Sequence, residues 1–548
     1  MSFKLPKEMA TTRFPDVSTI ELNDMDVDMV LPALFLLVRT EGRAMGPAAK
    51  GVTVDSIVTG LATNDRIQGA QGVESAFIDR WVRSGFVRMG RTGRAHRSEQ
   101  LLSVTPLHFV AYRAQLPTQR SRLRNAHTFI YHALVRALRD VTAEPEARLK
   151  SLVISALGPG ITLEDGLNLS YQTRDQDIDD VELLMEFSVM DQFPEASAGY
   201  GTPGAPTPPV CPRAAQVLAQ DILVFLDGYR GKIGPRALVR YLAALVNFEL
   251  FVYLRRLIYA VPRIAQGRPF TEGETPRFYV DINGQTGSPS TRMARESLEQ
   301  DMAQIAEFFD ANLLLLTLSR YVHLQAIGGT EAYQVSSGAQ GLEQLVSLRR
   351  DDLVRAMAQA EFSRLLYSVD DDDEQEVMMS LWKEFRQQTD EVGGMVGLLG
   401  EAQRRKSMQA YGRYLRNVGG LTRQDGIVGG EVNRGSSWRY VLSADLLWVL
   451  VQLAAVLPEG EGLDASGPRT LRLADFVSWL SARYDLDISD PPGDASVTRL
   501  AAARANVDAL RERLRQMGMM DPLSDDFETQ EIRPAFYDVV EGVTGGGC

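Results

Sequence analysis

Residues 85–104 read GFVRMGRTGRAHRSEQLLSV, two short apolar runs around an arginine-rich tip. Phe86, Val87 and Met89 open the first run, and Leu101, Leu102 and Val104 close the second. Gly90 and Gly93 give the backbone the freedom that a hairpin tip needs. Three segments with helical spacing lie upstream. The first, 27–38 (VDMVLPALFLLV), is apolar throughout and tolerates Pro32 only in its opening turn. The second, 53–62, places Val54, Ile57, Val58 and Leu61 on one face. The third, 74–84 (ESAFIDRWVRS), repeats the pattern with Phe77, Ile78, Trp81 and Val82 before Gly85 stops it. Helix, helix, helix, basic hairpin is the order of a winged-helix domain, predicted here over 1–115.

Charge makes this region stand out. The whole chain of 548 residues carries a net charge of -13. Between Arg80 and Arg124, however, there are ten Arg and a single acid, Glu99, a local balance of +9. A polyanion, DNA above all, is the natural partner of such a concentration. In a winged helix the third helix enters the major groove and the wing follows backbone phosphate. That assigns Arg80 and Arg83 to the groove and Arg88, Arg91, Arg94, His96 and Arg97 to the wing. Arg120, Arg122 and Arg124 extend the same footprint, with Arg113 between. The competing interpretation pairs these arginines with acids elsewhere in the chain or on a partner protein.

Beyond the first domain the composition is that of a soluble, multi-domain protein. A helical extension is expected over 116–193, with Phe129, Ile130, Leu134 and Leu138 on one side of its main helix. A Pro- and Gly-rich loop follows at 194–212. A helical middle domain spans 213–417, with helices near 213–228, 236–261, 291–327, 341–368 and 375–416 and one strand-like run, 277–282 (RFYVDI). A Gly-rich loop, 418–437, separates it from a C-terminal winged-helix-like domain at 438–537 and a flexible tail at 538–548. The predicted fold class is therefore mainly α, with winged-helix domains at both ends of a helical middle that has little strand.

The C-terminal wing differs from the first. Asp521, Asp525, Asp526, Glu528 and Glu531 make it acidic and a poor match to phosphate, which favours protein docking there. The apolar helix near 236–261 carries Arg240, Glu249, Arg255 and Arg256, and these charges argue for a buried core helix and against a membrane span. The N-terminal residues lack the apolar stretch of a signal peptide, so a cytoplasmic location is expected. Two cysteines, Cys211 and Cys548, are too few for a disulfide framework or a thiolate metal site.

Catalytic motifs are missing from the sequence: there is no H-E-x-x-H, no G-x-S-x-G and no Walker A run. The carboxylates that bear on metal chemistry are Asp281 with Asn283 and Ser288, and the acidic cluster from Asp175 to Glu182. A turn explains the first group and a helix start the second. The run from Asp370 to Asp373 reads as a solvated helix start or a lure for a basic partner. No metal, cofactor or catalytic residue is assigned, and a metal-dependent nuclease with scattered carboxylates is the weakest of the readings.

The stretches WVRSGFVRMGRTGRAHRSEQLL and ANVDALRERLRQMGMMDPLSDDFETQEIRPAF resemble, in style and order, non-catalytic accessory subunits of bacterial anti-phage defence islands of the methylation-associated type. Winged helices at both ends of a helical middle also resemble the kleisins of bacterial condensin-type complexes. The first resemblance implies a non-enzymatic subunit that engages DNA and other protein subunits. The second implies an interaction subunit whose basic patch meets an acidic partner.

Overall fold

Helix starts in this chain are set by punctuation as much as by periodicity. The computed structural model describes residues 5–6, 9–43, 52–64, 72–85, 87–90, 100–105, 108–114, 120–158, 161–164, 168–171, 186, 189–190, 192–193, 207–327, 333–421, 423–493, 496–520 and 530–536. Among these, helices dominate: α1 (Val30–Arg39), α2 (Val54–Ala62), α3 (Ser75–Gly85), α4 (Arg120–Leu123), α5 (Ala126–Arg139) and α6 (Pro145–Leu157) in the first part. The middle holds α7 (Pro212–Tyr229), α8 (Pro235–Ala265), α9 (Pro289–Ile327), α10 (Ala339–Ser347), α11 (Asp352–Tyr367), α12 (Asp372–Gln388) and α13 (Glu391–Val418). Three more follow: α14 (Ala444–Val456), α15 (Leu473–Tyr484) and α16 (Val497–Gln516). Helices α6 to α9 all begin on a proline, the position where its missing N–H has no intrahelical partner to lose. The protein is mainly α.

The core is organised around α8. Its residues are buried from Ala244 to Pro262 without a break. It is long and apolar enough to cross a membrane, yet 78% of its most apolar stretch is buried inside the protein, packed on α7, α9 and α14. Arg255 and Arg256, which mark it as a core helix in the sequence, are both paired: Arg255 with the buried Asp301, Arg256 with the half-buried Glu272 and Asp485. One connected apolar cluster runs from Met9 through this helix to Ile532.

Among the described residues the strands are short and form five separate pairs: β1 (Val87–Gly90), β2 (Gln100–Val104), β3 (Ile161–Glu164), β4 (Asn168–Tyr171), β5 (Phe278–Tyr279), β6 (Val428–Gly429), β7 (Arg439–Tyr440), β8 (Leu471–Arg472), β9 (Leu486–Asp487) and β10 (Glu531–Ile532). The strand expected near 277–282 is β5 (Phe278–Tyr279), and it is not alone. It pairs in parallel with β9 (Leu486–Asp487), and Asp281 bridges Val441. The β8 pair (Leu471–Arg472) joins β10 (Glu531–Ile532) antiparallel, flanking α15 and α16. The acidic residues of the expected C-terminal wing, apart from Glu531, lie outside the described residues. So do most of the Pro/Gly-rich loop and the Asp175–Glu182 cluster.

Two of the expected long helices are each broken in two. The 341–368 segment divides into α10 and α11, and 375–416 divides into α12 and α13. Each break is made by an aspartate that caps the following helix. Asp351 accepts from the Leu353 N–H at 2.8 Å, and Asp390 from the Gly393 N–H at 2.7 Å.

Candidate nucleic-acid interface

The basic region is built on α2, α3 and a hairpin. Helix α2 is started by a reciprocal cap: Thr53 Oγ1 accepts from the Ser56 N–H at 3.1 Å, and Ser56 Oγ accepts from the Thr53 N–H at 2.9 Å. Its buried residues are the four expected: Val54, Ile57, Val58 and Leu61. Helix α3 packs on α2 and sinks Ile78 and Val82 into the core, with Trp81 half-buried beside them. The hairpin pairs β1 (Val87–Gly90) with β2 (Gln100–Val104) in antiparallel register, Val87 opposite Val104 and Met89 opposite Leu101. Val87, Met89 and Leu101 pack against the core, while Arg88 points out.

The outward face of α3 follows from its 3.6-residue turn. Arg80 is at its centre, Ala76 and Arg83 lie to one side, and Phe77 and Ser84 to the other; all five are exposed. The sequence pattern places Phe77 on the inward face with Ile78, and the structure corrects this: Phe77 is 66% exposed. It sits just past the edge of the apolar arc, where one helix position decides between core and solvent.

Of the ten residues expected to contact nucleic acid, Arg91, Arg94, His96 and Arg97 lie outside the described residues, as does the side chain of Arg120. The other five are placed. Arg80 faces solvent. Arg83 pairs with Asp79 one turn back on its own helix, Nε to Oδ1 at 2.8 Å. Arg88 lies 3.2 Å from Asp28 and 3.6 Å from Asp26, and Arg122 lies 3.9 Å from Asp26. Arg124 Nη1 is 2.8 Å from Glu21 Oε1, and its Nε donates to the Asp24 carbonyl at 2.9 Å. A turn near α13 adds Arg423, which pairs with Asp28 and with Asp425. Four of the five placed arginines therefore face acids, three of them acids of the lead-in before α1. Burial raises the Asp26 carboxyl above its ordinary range, and the guanidinium groups of Arg88 and Arg122 act against that.

The lead-in was not legible as a partner of these arginines, because 60 positions separate Asp28 from Arg88 in sequence and more separate the other pairs. Its acids, in the run NDMDVD, were the only signal. Most of these pairs are partly exposed, and a partly exposed ion pair holds its arginine weakly.

Asp281 is fully occupied by protein donors. Its carboxylate accepts from Ser290 Oγ and Thr291 Oγ1, each at 2.8 Å, and from the Gly284 N–H at 3.3 Å, with Arg439 Nε 3.4 Å away. Gly284 takes a positive φ of 71°, so this is a turn of the Asx kind that glycine permits. Among the described residues no group of three or more His, Cys, Asp or Glu is arranged to hold a metal ion.

Among the described residues, two of the clefts lie away from this face. One, about 370 Å³, lies between the lead-in, α9 and α13 and is lined in part by Arg13, Asn312, Lys406 and Tyr411. The other, about 290 Å³, lies between α5 and α7 and includes Phe129, His132, Arg136 and Leu463. Burial, with Arg139 and Arg136 nearby, lowers the His132 pKa and favours its neutral form. No residue of α2, α3 or the hairpin lines either cleft.

By fold and site the chain is of the class of mainly helical proteins that carry an arginine-bearing helix beside a two-stranded hairpin. Over residues 7–536 the chain matches the family of methylation-associated defense system protein MAD7, and it belongs to that family. It is thus a component of a methylation-associated defence system. Neither a curated protein nor a solved structure matches the chain.

Proposed function

We propose that this protein is a non-enzymatic, cytoplasmic subunit that binds DNA and holds other proteins of its defence system together. The N-terminal α2, α3 and hairpin act as a winged helix, and the C-terminal α15, α16 and β8–β10 pair act as a second, protein-docking one. One observation carries the DNA reading. Helix α3 is anchored by Ile78 and Val82 and turns Arg80 and Arg83 outward, beside a hairpin whose connecting residues include Arg91, Arg94 and Arg97. A helix held from behind with arginines in front is what major-groove entry requires, and guanidinium forks suit phosphate and guanine edges alike.

The test is fluorescence anisotropy of the full chain with a labelled duplex at several salt concentrations. Affinity should fall steeply with salt, the log–log slope rising by about 0.9 for each phosphate contacted. Changing Arg91, Arg94 and Arg97 together to Glu should abolish binding and leave the helical circular dichroism intact. Duplex binding unchanged in that triple variant would remove the hairpin from the interface.

A second reading has an observation of its own. Arg88, Arg122 and Arg124 already face Asp26, Asp28 and Glu21, so the face carries less free charge than its sequence suggests. In that case the basic face meets an acidic protein subunit. A stoichiometric partner that co-purifies and blocks duplex binding supports it.

A further inference from the structure

The exposed aromatic on α3 has no role in an arginine–phosphate interface. Phe77 is in the first turn of the helix, 66% exposed, and Val73 just before the helix is 41% exposed. Val73 and Phe77, four positions apart, put apolar area beside Arg80 on the outward side of this helix and its lead-in. A purely phosphate-binding face has no use for it. The major groove supplies partners for the arginine and for the phenylalanine side by side. Base edges offer acceptors to arginine, and methyl groups offer apolar contact to side chains such as phenylalanine. In a helix that enters the groove, the N-terminal residues are those that reach the base edges. Phe77 occupies that turn, and Arg80 follows three positions later on the same face.

We infer that the outward face of α3 reads a methyl group in the major groove, with Phe77 as the contact and Arg80 placed to take an acceptor on a neighbouring base. This rests on the DNA-binding reading above. The shared chemistry is a methyl group projecting from a base edge. Thymine carries one, and so do 5-methylcytosine and N6-methyladenine. Membership of a methylation-associated family makes base methylation the natural variable to vary.

The experiment compares full-length protein on pools of randomised labelled duplexes at one low salt concentration. The pools contain thymine or deoxyuridine, cytosine or 5-methylcytosine, and adenine or N6-methyladenine. In at least one pair the methyl-bearing pool should bind tighter by about four-fold, the worth of one buried methylene; which pair responds identifies the source. Phe77→Ala should erase that preference while keeping salt-sensitive binding, and Phe77→Leu should keep most of it. Equal affinity across all three pairs, or a preference that survives Phe77→Ala, overturns the inference while leaving DNA binding standing. Failure to bind any pool at low salt overturns the DNA reading itself, and this inference with it.

Discussion

Asp301 shows how this fold handles charge in its interior. The carboxylate is buried and accepts from Arg255 Nε at 2.6 Å and Nη2 at 3.2 Å, from Tyr259 Oη at 2.8 Å and from Tyr440 Oη at 2.5 Å. Arg255 also donates to the Pro276 carbonyl and stacks over Phe278, 4.2 Å from the ring centre. Both ions are satisfied, so removing one strands the other. Asp301→Ala should cost about 3–5 kcal/mol, measured as a drop in chemical unfolding stability. Asp301→Asn, which keeps an acceptor, should cost less. Equal losses in the two variants would mean that the charge carries the whole effect and the retained volume and acceptor none. Glu249 is the opposite case. It is buried beside Asp221, which Arg483 and Tyr484 Oη already engage, and its Oε1 has no hydrogen-bond partner. Burial first, then the charge of Asp221, pushes the Glu249 carboxyl well above its ordinary value, so it is held protonated. A carboxyl whose folded pKa is raised stabilises fully below its unfolded value, and that contribution is lost as pH rises through the folded value. Glu249→Gln copies the protonated form. The variant should therefore gain on the parent progressively as pH is raised from mildly acidic to alkaline, read from unfolding midpoints across that range. Parallel midpoints for the two proteins over the whole range would contradict the assignment.

At the scale of elements, the legible parts were those marked by periodicity and by strong punctuation. The buried face of α2 and the apolar side of α5 lie where the spacing of their apolar residues puts them. Helices α7, α8 and α9 start on prolines, within two residues of the expected positions. The illegible parts were breaks inside polar stretches. RRDDL and QTDEV contain no Gly–Pro signal, and the aspartate that ends one helix is the residue that caps the next. Arg349 reinforces this by joining the two breaks: it lies two positions before Asp351 and donates to Asp390 Oδ2 at 2.8 Å. Helices α12 and α13 approach most closely at Gly397, where an added Cβ would overlap the Phe385 ring, and next at Gly394, where it would lie 3.1 Å from the Trp382 ring. Asp390→Ala removes the cap and the ion pair together and should cost about 1–2 kcal/mol of stability in chemical unfolding. Asp390→Asn retains the cap and should lose under about 1 kcal/mol, since the pair with Arg349 is partly exposed. If both variants lose the same amount, the cap is not what separates α12 from α13. The exposed position of Phe77 was illegible for a similar reason. A pattern of four apolar residues fits a helix face, and only the packing of α3 shows which of them is at its edge.

For the whole molecule, the lead-in before α1 links the candidate interface to the core. Met9, Phe14, Val17, Ile20 and Met25 are buried in the main cluster. Asn312 and Gln403 donate to the backbone carbonyls of Thr12 and Met9 at 2.9 and 3.1 Å, and Asn417 to that of Met25 at 2.6 Å. The segment is thereby fixed over α9 and α13, and this fixes Asp26 and Asp28 against Arg88 and Arg122. Contacts of that sequence separation are invisible in composition, which is why the local balance of +9 overstates the charge that a ligand meets. On the proposed DNA-binding reading, the lead-in acids compete with phosphate for the same guanidinium groups. Asp28 is the better one to change, because Arg423 keeps Asp425 at 2.8 Å when Asp28 loses its charge, whereas Asp26 is buried. Asp28→Asn removes the nearer of the two acids that face Arg88 and should tighten duplex binding, with a salt slope steeper by up to about 0.9 if one further phosphate is engaged. Arg88→Glu should move both quantities the other way. Anisotropy over the same salt series measures each, and an Asp28→Asn protein with parental affinity and slope would place Arg88 outside the path of the DNA, leaving α3 and the residues joining β1 to β2 to carry the binding alone.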